Sequence, residues 1–519
     1  MRDDVFETAG GSVRGFRVKG GDDVVAVLGI PYAAPPFGAD RFREPRPAPP
    51  WSGVRDGTEF GPVAPQSAEL PGAPNWSPGD EDVLTVNVWT PAPGRGGRLP
   101  VLVWLHGGAY TFGSSAQPDF DGTALARAGL VVVTVNYRLG FEGFGHVPDA
   151  SPDASDDASI VSEVPDNRGL LDQIAALRWV RDNIHAFGGD PDDVTLAGQS
   201  SGATSVVCLM VMDRARGLFH RAIAHSPASP FHTRDIAAAT AREIAAAAGC
   251  PATWEGLASA TPQALVAAAD QVVDAYRNDP GSGSRHYDPS LFAPVLDGDT
   301  LPTDPLTALA AGAARDVDLL LCHTTEEYWL LDAVGSCAKL TTEAQLARFA
   351  RDFGLSDELL DAYRSPDPAL LADDYLALFG DLLFVEFTHR LAEAHAAGGG
   401  RTYLSRFDRR RERADGTTVH AWHCADIPFA FGNLDDAHLS FLIGGAPTPE
   451  DHALSRRMAG AWAAFATTGN PGWDPIRKDD TEAGRTTHVW TLADRPPADP
   501  RPVRPRDLWA KVAFPLLHP

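Results

Sequence analysis

Residues 194–202 read Val-Thr-Leu-Ala-Gly-Gln-Ser-Ser-Gly, a Gly-x-Ser-x-Gly pattern between an apolar strand-like run and a helix-like stretch. A serine hydroxyl is a poor nucleophile unless a base takes its proton. A tight turn can hold it exposed only where the neighbouring residues lack bulky side chains. Gly198 and Gly202 meet that demand, which makes Ser200 a candidate nucleophile. In a chain with 49 glycines, a glycine-rich turn without function is the competing interpretation.

A second motif favours catalysis. Residues 104–110 read Trp-Leu-His-Gly-Gly-Ala-Tyr and directly follow a predicted strand. Small residues at such a position allow backbone N–H groups to face the negative charge that develops on a carbonyl oxygen. The two segments together predict a serine nucleophile with an oxyanion hole.

Alternating strands and helices predict the fold class. The clearest helical pattern runs over 170–184, where apolar residues share one face, and another covers 454–467 and is stopped by Gly469. Three earlier runs, at 12–18, 24–30 and 84–89, predict an antiparallel edge. We therefore expect a mainly parallel, doubly wound α/β sheet. Its buried strands are predicted at 101–105, 130–136, 194–197, 221–226, 317–322 and 402–406.

The length of 519 residues is compatible with a single decorated domain over 1–519. Alanine-rich helical segments at about 235–315 and 340–400 predict insertions that cap the mouth of the active site. The acidic, small-residue-rich stretch 149–164 predicts an exposed or mobile insertion.

Charge and composition restrict the classes of molecule that the chain is expected to bind. The chain has 44 basic and 69 acidic residues, a net charge of −25, which repels phosphate backbones and anionic membrane surfaces. No apolar run has the length of a membrane span, and the start lacks a secretory pattern. The five cysteines show no Cys-x-x-Cys spacing, so we expect neither a disulfide framework nor a metal site. These features predict a cytoplasmic protein without nucleic-acid or membrane partners; they say nothing about its oligomeric state.

Nearly the whole chain resembles the type-B carboxylesterase family. The resemblance implies an α/β-hydrolase fold and hydrolysis of a small-molecule ester without a cofactor. It rests on the two motifs above and on further landmarks in chain order: Gly29-Ile30-Pro31-Tyr32-Ala33, Arg41-Phe42, Glu81-Asp82, Asn87-Val88-Trp89-Thr90-Pro91, Asn136-Tyr137-Arg138, Gly169-Leu170-Leu171-Asp172-Gln173, Phe187-Gly188-Gly189-Asp190-Pro191 and Asp426-Ile427-Pro428-Phe429.

The resemblance also implies site residues. The family's catalytic acid follows the strand ending near residue 322, which selects Glu327, with Glu326 as the alternative if the alignment slips by one. The family's histidine selects His423, although His420 is close by. Together with Ser200 these residues would form a Ser-Glu-His triad. The implied oxyanion donors are the amides of Gly108, Ala109 and Ser201, and candidate substrate contacts are Tyr110, Gln199 and Phe429.

Other matched charges correspond to structural ion pairs in the family. They pair Arg41 with Glu81 and Arg138 with Asp172, so that removal of one partner would chiefly destabilise the fold.

Three departures from the family pattern lie around the nucleophile and the base. Gln199 is neutral where many members carry glutamate, which weakens attraction of cationic substrates. Cys424 replaces a glycine beside the catalytic histidine and is a conceivable alternative nucleophile. His225 begins a His-Ser-Pro stretch where Gln-Ser-Gly is usual. We expect the last two of these changes to alter the wall of the site.

Two alternatives to ester hydrolysis stay open at this stage. An acyltransferase or a biosynthetic enzyme would use the same triad and acyl-enzyme with an alcohol or amine in place of water. A non-catalytic binding relative is disfavoured because such proteins lose triad residues, whereas Ser200, Glu327 and His423 are all present.

Overall fold

A ten-stranded mixed sheet runs through the computed structural model of the chain. The structure describes residues 4–19, 21–68, 75–94, 96–148, 164–413, 416–477, 487–492 and 506–517. We number the strands of this sheet in chain order: β1 (Phe16–Val18), β2 (Gly21–Pro31), β3 (Thr85–Thr90), β4 (Leu99–Leu105), β5 (Val131–Val135), β6 (Gly189–Gln199), β7 (Arg221–His225), β8 (Asp318–Thr324), β9 (Thr402–Phe407) and β10 (Thr487–Trp490).

The order across the sheet is β10-β9-β8-β7-β6-β4-β5-β3-β2-β1. The seven strands from β10 to β5 are parallel, and β3, β2 and β1 continue the sheet in antiparallel fashion. The predicted mainly parallel sheet with an antiparallel edge is thus confirmed. Strand β4 is buried on both faces, with Val103 in one hydrophobic core and Trp104 in the other, as a strand covered by helices on both sides requires.

Helices connect the strands and cover both faces of the sheet. The predicted helix over 170–184 is observed at Arg168–Asn183, and the late helix begins with a capping box at Thr448 and ends at Gly469. In chain order the helices are α1 (Thr123–Arg127), α2 (Gly140–Phe144), α3 (Arg168–Asn183), α4 (Ser201–Val211), α5 (Arg234–Ala247), α6 (Trp254–Ser259), α7 (Pro262–Asn278), α8 (Ser284–Tyr287), α9 (Pro305–Ala310), α10 (Trp329–Ala333), α11 (Glu343–Asp352), α12 (Asp357–Tyr363), α13 (Leu371–Gly380), α14 (Glu386–Ala397), α15 (Ile427–Phe431), α16 (Ser440–Ile443), α17 (Pro449–Thr468) and α18 (Arg506–Trp509).

The N-terminal strand predicted over 12–18 divides at Gly15. Ser12–Arg14 belongs to a separate three-stranded sheet with Val5–Glu7 and Val54–Asp56, while β1 joins the main sheet. A Cβ atom at Gly15 would lie 2.7 Å from the carbonyl oxygen of Ala26. The close approach of two backbones at this glycine explains why the apolar run does not continue as one strand.

Both predicted helical insertions are helical in the structure. The first contains α5 to α9, and the second contains α11 to α14 with a π-helical turn, Asp381–Val385, between α13 and α14. Helices of the second insertion pack in a separate hydrophobic core around Phe349 and Leu378, which Tyr287 and Trp509 also join. The insertion is also tied to the end of β7, because the Ser229 amide donates to the Leu383 carbonyl at 2.9 Å.

The prediction of an insertion at 149–164 falls almost wholly outside the described residues. Within the described ranges, no helix combines the length and the apolar character that a bilayer crossing requires. All five cysteines are free thiols.

One of the two implied ion pairs is confirmed and the other is wrong. Arg138 binds Asp172 through two hydrogen bonds of 2.7 and 2.8 Å, with both side chains buried. Arg41 binds Glu142 of α2 at 2.6 Å, not Glu81. Glu81 is exposed to solvent, whereas Glu142 is buried next to Arg41, and a buried guanidinium requires a buried carboxylate partner.

Candidate active site

Ser200 lies in the sharp turn between β6 and α4, with φ 56° and ψ −127°. A positive φ is rare for a residue with a side chain and is typical of strained functional turns. The turn needs glycine on both sides: a Cβ atom at Gly202 would lie 2.2 Å from the Leu105 carbonyl oxygen, and one at Gly198 would lie 2.5 Å from the Gly202 carbonyl oxygen. The sequence argument for a nucleophile elbow therefore has a direct steric counterpart.

The structure brings Glu327 and His423 together. Glu327 Oε2 accepts a hydrogen bond of 2.5 Å from His423 Nδ1, and both side chains are buried. The alternative acid, Glu326, points elsewhere and accepts from His420 Nδ1 at 2.7 Å and from Arg410 at 2.9 Å. The two neighbouring glutamates thus have separate histidine partners.

The second ring nitrogen of His423 faces Gln199. The side-chain nitrogen of Gln199 lies 2.9 Å from His423 Nε2. Because an amide nitrogen can only donate, Nε2 accepts this hydrogen bond and the ring proton lies on Nδ1, which donates to Glu327. Within the described chain, the Ser200 hydroxyl has no hydrogen-bond partner. The lone pair that would take the serine proton is therefore engaged by Gln199 in this state.

Ser226 is a site residue that the motifs did not identify. Its hydroxyl donates to Glu327 Oε1 at 2.6 Å, and the Thr324 amide donates to the same oxygen at 2.7 Å. Like Ser200, Ser226 has a positive φ, of 50°. In the sequence, the His-Ser-Pro stretch around Ser226 stands out only because it differs from the family pattern. No spacing in the sequence links Ser226 to Glu327.

Phe384 is a second residue that sequence reasoning missed. Its ring packs against the imidazole of His423, with centroids 4.3 Å apart. It belongs to the π-helical turn Asp381–Val385, and such turns are frequent at functional sites. A phenylalanine among many others in a helical insertion carries no motif, so only the three-dimensional packing identifies it.

The loop that carries two of the predicted oxyanion donors contacts the elbow, since a Cβ atom at Gly107 would lie 3.0 Å from the Ser200 Cβ. In the described residues, the amides of Gly108 and Ala109 donate to no protein acceptor. Ser201 is the first residue of α4, and the first amides of a helix have no acceptor within the helix. Gly108 has φ 114°, and a Cβ atom there would lie 1.9 Å from the Phe112 carbonyl oxygen. This loop can therefore adopt its conformation only with glycine at that position.

His106 stabilises the same loop through its side chain and its backbone. Burial lowers the pKa of His106 to about 4, even though its Nδ1 donates to the Gly107 carbonyl at 2.8 Å. The ring packs on Tyr137, whose hydroxyl donates to the His106 carbonyl at 2.6 Å. A neutral histidine thus fixes the backbone that precedes Gly108.

Of the three candidate substrate contacts, the structure brings only Gln199 to the triad. Tyr110 is buried in the core, where its ring lies 4.3 Å from that of Phe144. Phe429 is fully buried and packs on Phe407 at 5.2 Å. Cys424 lies beside His423 with φ 69°, and burial raises the pKa of its thiol well above the usual value. That shift argues against Cys424 as a thiolate nucleophile.

The chain is similar to known proteins over most of its length. The family described as "Carboxylesterase family" matches residues 2–490. The para-nitrobenzyl esterase of Bacillus subtilis (strain 168) is 36% identical over 488 residues, which cover 92% of each chain. The fumonisin B1 esterase of Sphingopyxis macrogoltabida is 35% identical and covers 90% of this chain and 82% of its own.

Solved structures give the same result. A thermophilic PNB esterase matches with a TM-score of 0.79 at 34% identity, and covers 94% of this chain and 96% of its own. The Geobacillus stearothermophilus carboxylesterase EST55 matches with a TM-score of 0.76, also at 34% identity, with the same coverage. The chain therefore belongs to the carboxylesterase family, with the α/β-hydrolase fold and the carboxylic ester hydrolase activity of its relatives.

Proposed function

We propose that this carboxylesterase hydrolyses small-molecule esters through an acyl-enzyme on Ser200, with His423 as general base and Glu327 as its carboxylate partner. The observation that carries the proposal is the buried 2.5 Å hydrogen bond between Glu327 and His423 beside the strained turn of Ser200. Relatives named for para-nitrobenzyl, fumonisin B1 and phenmedipham substrates support small organic esters as the substrate class.

The reaction begins when His423 Nε2 exchanges its Gln199 partner for the Ser200 hydroxyl. His423 takes the proton as Ser200 Oγ forms a bond to the ester carbonyl carbon, and the carbonyl oxygen becomes an oxyanion. The imidazolium then gives this proton to the leaving alcohol as the ester C–O bond breaks. Water attacks the acyl-enzyme by the same route and releases the acid and free Ser200.

Glu327 keeps the imidazole in the tautomer that this cycle needs. Its Oε2 accepts from His423 Nδ1, and its Oε1 is held by Ser226 and by the Thr324 amide. With both oxygens engaged, the carboxylate is fixed in orientation and stabilises the imidazolium as it forms. Ser226 acts through Glu327 and is a positioning residue.

The amides of Gly108, Ala109 and Ser201 are proposed to bind the oxyanion. Two of these amides belong to the glycine-rich loop and the third begins the helix after Ser200, which supports this role. Loss of one such donor typically costs about 3 to 4 kcal/mol of transition-state stabilisation. Free cysteines throughout the chain support a cytoplasmic location as part of the same proposal.

Covalent labelling tests the nucleophile. An organophosphonate ester should add one phosphonyl group to Ser200 at neutral pH, detected by intact mass and peptide mapping. The Ser200→Ala variant should gain no mass and lose ester hydrolysis, while its melting temperature stays close to that of the wild type. Labelling at any other residue, or unchanged hydrolysis in Ser200→Ala, would overturn the assignment. A panel of esters assayed with and without added alcohols then separates hydrolysis from acyl transfer.

A further inference from the structure

The end of β7 contacts two triad residues. The backbone of its last residue, His225, binds Ser200, and the side chain of the next residue, Ser226, binds Glu327. In the parallel register His225 lies between Gln199 of β6 and Cys322 of β8. The Ser200 amide donates to the His225 carbonyl at 2.9 Å. Ser226, the next residue, donates to Glu327. Two triad residues are therefore anchored at a single dipeptide.

The side chain of His225 reaches the segment that carries the third triad residue. His225 Nδ1 lies 2.5 Å from Asp426 Oδ2, and the two side chains are 2% and 0% exposed. Asp426 follows His423 by three residues, and the intervening chain forms a tight turn in which the Ile427 amide donates to the Cys424 carbonyl at 3.2 Å. The position of Asp426 is therefore coupled to that of His423 through a single backbone turn.

The tautomer of His225 is fixed by Trp462. The indole N–H of Trp462, on α17, donates to His225 Nε2 at 3.2 Å. Indole nitrogen can only donate, so Nε2 is the acceptor and the ring proton lies on Nδ1, where it is given to Asp426. Both ring nitrogens are therefore satisfied, and the orientation of the imidazole is determined from two sides.

We propose that His225 is a positioning residue that, through Asp426, holds the base His423 in register with Ser200 and Glu327. The proposal rests on the triad assigned above. It concerns a position at which this chain departs from the family pattern, because the family resemblance implies glutamine at position 225. An unanchored His423 turn would let the base drift from the nucleophile, and small displacements of a catalytic group lower the rate far more than substrate affinity.

The same cluster has the residue types of a metal site, because His225, Asp426 and Cys322 offer ligand atoms within 4.8 Å of one another. A metal on His225 Nδ1 would move the ring proton to Nε2, where it would face the N–H of Trp462. Two donors would then oppose each other in a buried site. The hydrogen bonds observed here favour a proton-bridged pair.

Three variants separate positioning from stability. His225→Asn keeps an amide N–H near the place of Nδ1, whereas His225→Leu keeps the bulk and removes the donor. The His225→Leu, Asp426→Asn double variant also removes the carboxylate that the single leucine variant would leave buried and unpaired, so it should regain stability. The readouts are kcat and KM for a chromogenic ester and the melting temperature.

We expect His225→Leu to lower kcat at least tenfold with KM within a factor of about two, and His225→Asn to retain most of the wild-type kcat. The double variant should recover melting temperature but not kcat, because the His423 turn is still unanchored. Recovery of kcat together with stability, an unchanged kcat in His225→Leu, or an equal loss in His225→Asn would each overturn the proposal. So would a stoichiometric metal found in the purified wild type. Phosphonate labelling of Ser200 in the wild type tests the underlying triad separately.

Discussion

The side-chain nitrogen of Gln199 lies 2.9 Å from His423 Nε2, the ring nitrogen that would take the serine proton. In Gln199→Glu the new carboxylate would favour the protonated imidazole, since an opposite charge this close typically shifts a pKa by about 1 to 3 units towards the charged form. A protonated base cannot accept from Ser200. We therefore expect the acidic limb of the kcat/KM profile to move up by about one to two pH units.

The matched control for this prediction is Gln199→Met, which keeps the length of the side chain without charge or amide. Its acidic limb should stay near the wild-type position in initial-rate assays over pH 5 to 9. A profile of Gln199→Glu that coincides with that of Gln199→Met would show that residue 199 does not act on the base electrostatically.

A buried carboxyl group, Asp119, is expected to make the folded state less stable as the pH rises. Burial raises the pKa of Asp119 to about 7, and the negative charge of Asp436 adds to the rise. The folded state therefore holds a proton that the unfolded state releases near pH 4, and this stabilisation is lost as pH rises through 7. Asp119→Asn avoids the buried charge, so we expect it to increase the free energy of unfolding at pH 8.5 by up to about 4 kcal/mol.

At pH 4 the same variant should show little gain, since Asp119 is protonated in the folded wild type. Denaturant titrations at both pH values measure the difference. Asp435→Asn is the control, because the Asp435 side chain is 84% exposed and its neutralisation should change stability little at either pH. An equal effect of Asp119→Asn at both pH values would contradict the linkage.

At the scale of the element, the turn from β6 into α4 requires glycine at position 202. A Cβ atom there would meet the Leu105 carbonyl oxygen at 2.2 Å and the His106 carbonyl oxygen at 2.5 Å. Gly202→Ala should push the elbow away from β4 and lower the melting temperature. It should also reduce kcat by at least about tenfold, because Ser200 shifts relative to the amides that are proposed to bind the oxyanion.

The control is another glycine-to-alanine change in a helix. Gly460 lies in α17, and nothing lies within 4 Å of the position that a Cβ atom would take there. Gly460→Ala should raise the free energy of unfolding by about 0.5 to 1 kcal/mol and leave kcat unchanged. If both variants behaved alike in thermal melts and ester assays, the steric argument for the elbow would be wrong.

The elements that sequence patterns predicted well are those with strong local signals. The strands ending at the site, the elbow and the long helices follow from apolar periodicity, glycine placement and capping residues. Ser226 and Phe384 were not predicted, because their roles arise from contacts between segments distant in sequence. The Arg41 partner was predicted wrongly for the same reason: the choice between Glu81 and Glu142 depends on which carboxylate is buried.

At the scale of the whole molecule, Arg138 joins three segments. It binds Asp172 of α3 at 2.7 and 2.8 Å, and its remaining nitrogen donates to the Arg43 carbonyl at 2.8 Å. The pair is 1% and 0% exposed. Removal of either side chain alone leaves a buried charge without a partner, so Arg138→Met should lower the free energy of unfolding by about 3 to 5 kcal/mol.

The exposed pair of Arg14 and Asp56 is the matched comparison. Its distance of 2.7 Å is the same, but its side chains are 43% and 65% exposed. Solvent screening reduces such a pair to about 0 to 1 kcal/mol, so Arg14→Met should hardly shift a urea unfolding curve. Arg138→Met combined with Asp172→Leu should lose less than the sum of the two single changes, because no buried charge is left unpaired. Strict additivity in that double-mutant cycle would mean that the pair stabilises the fold by packing alone, since charge coupling is what makes the two losses overlap.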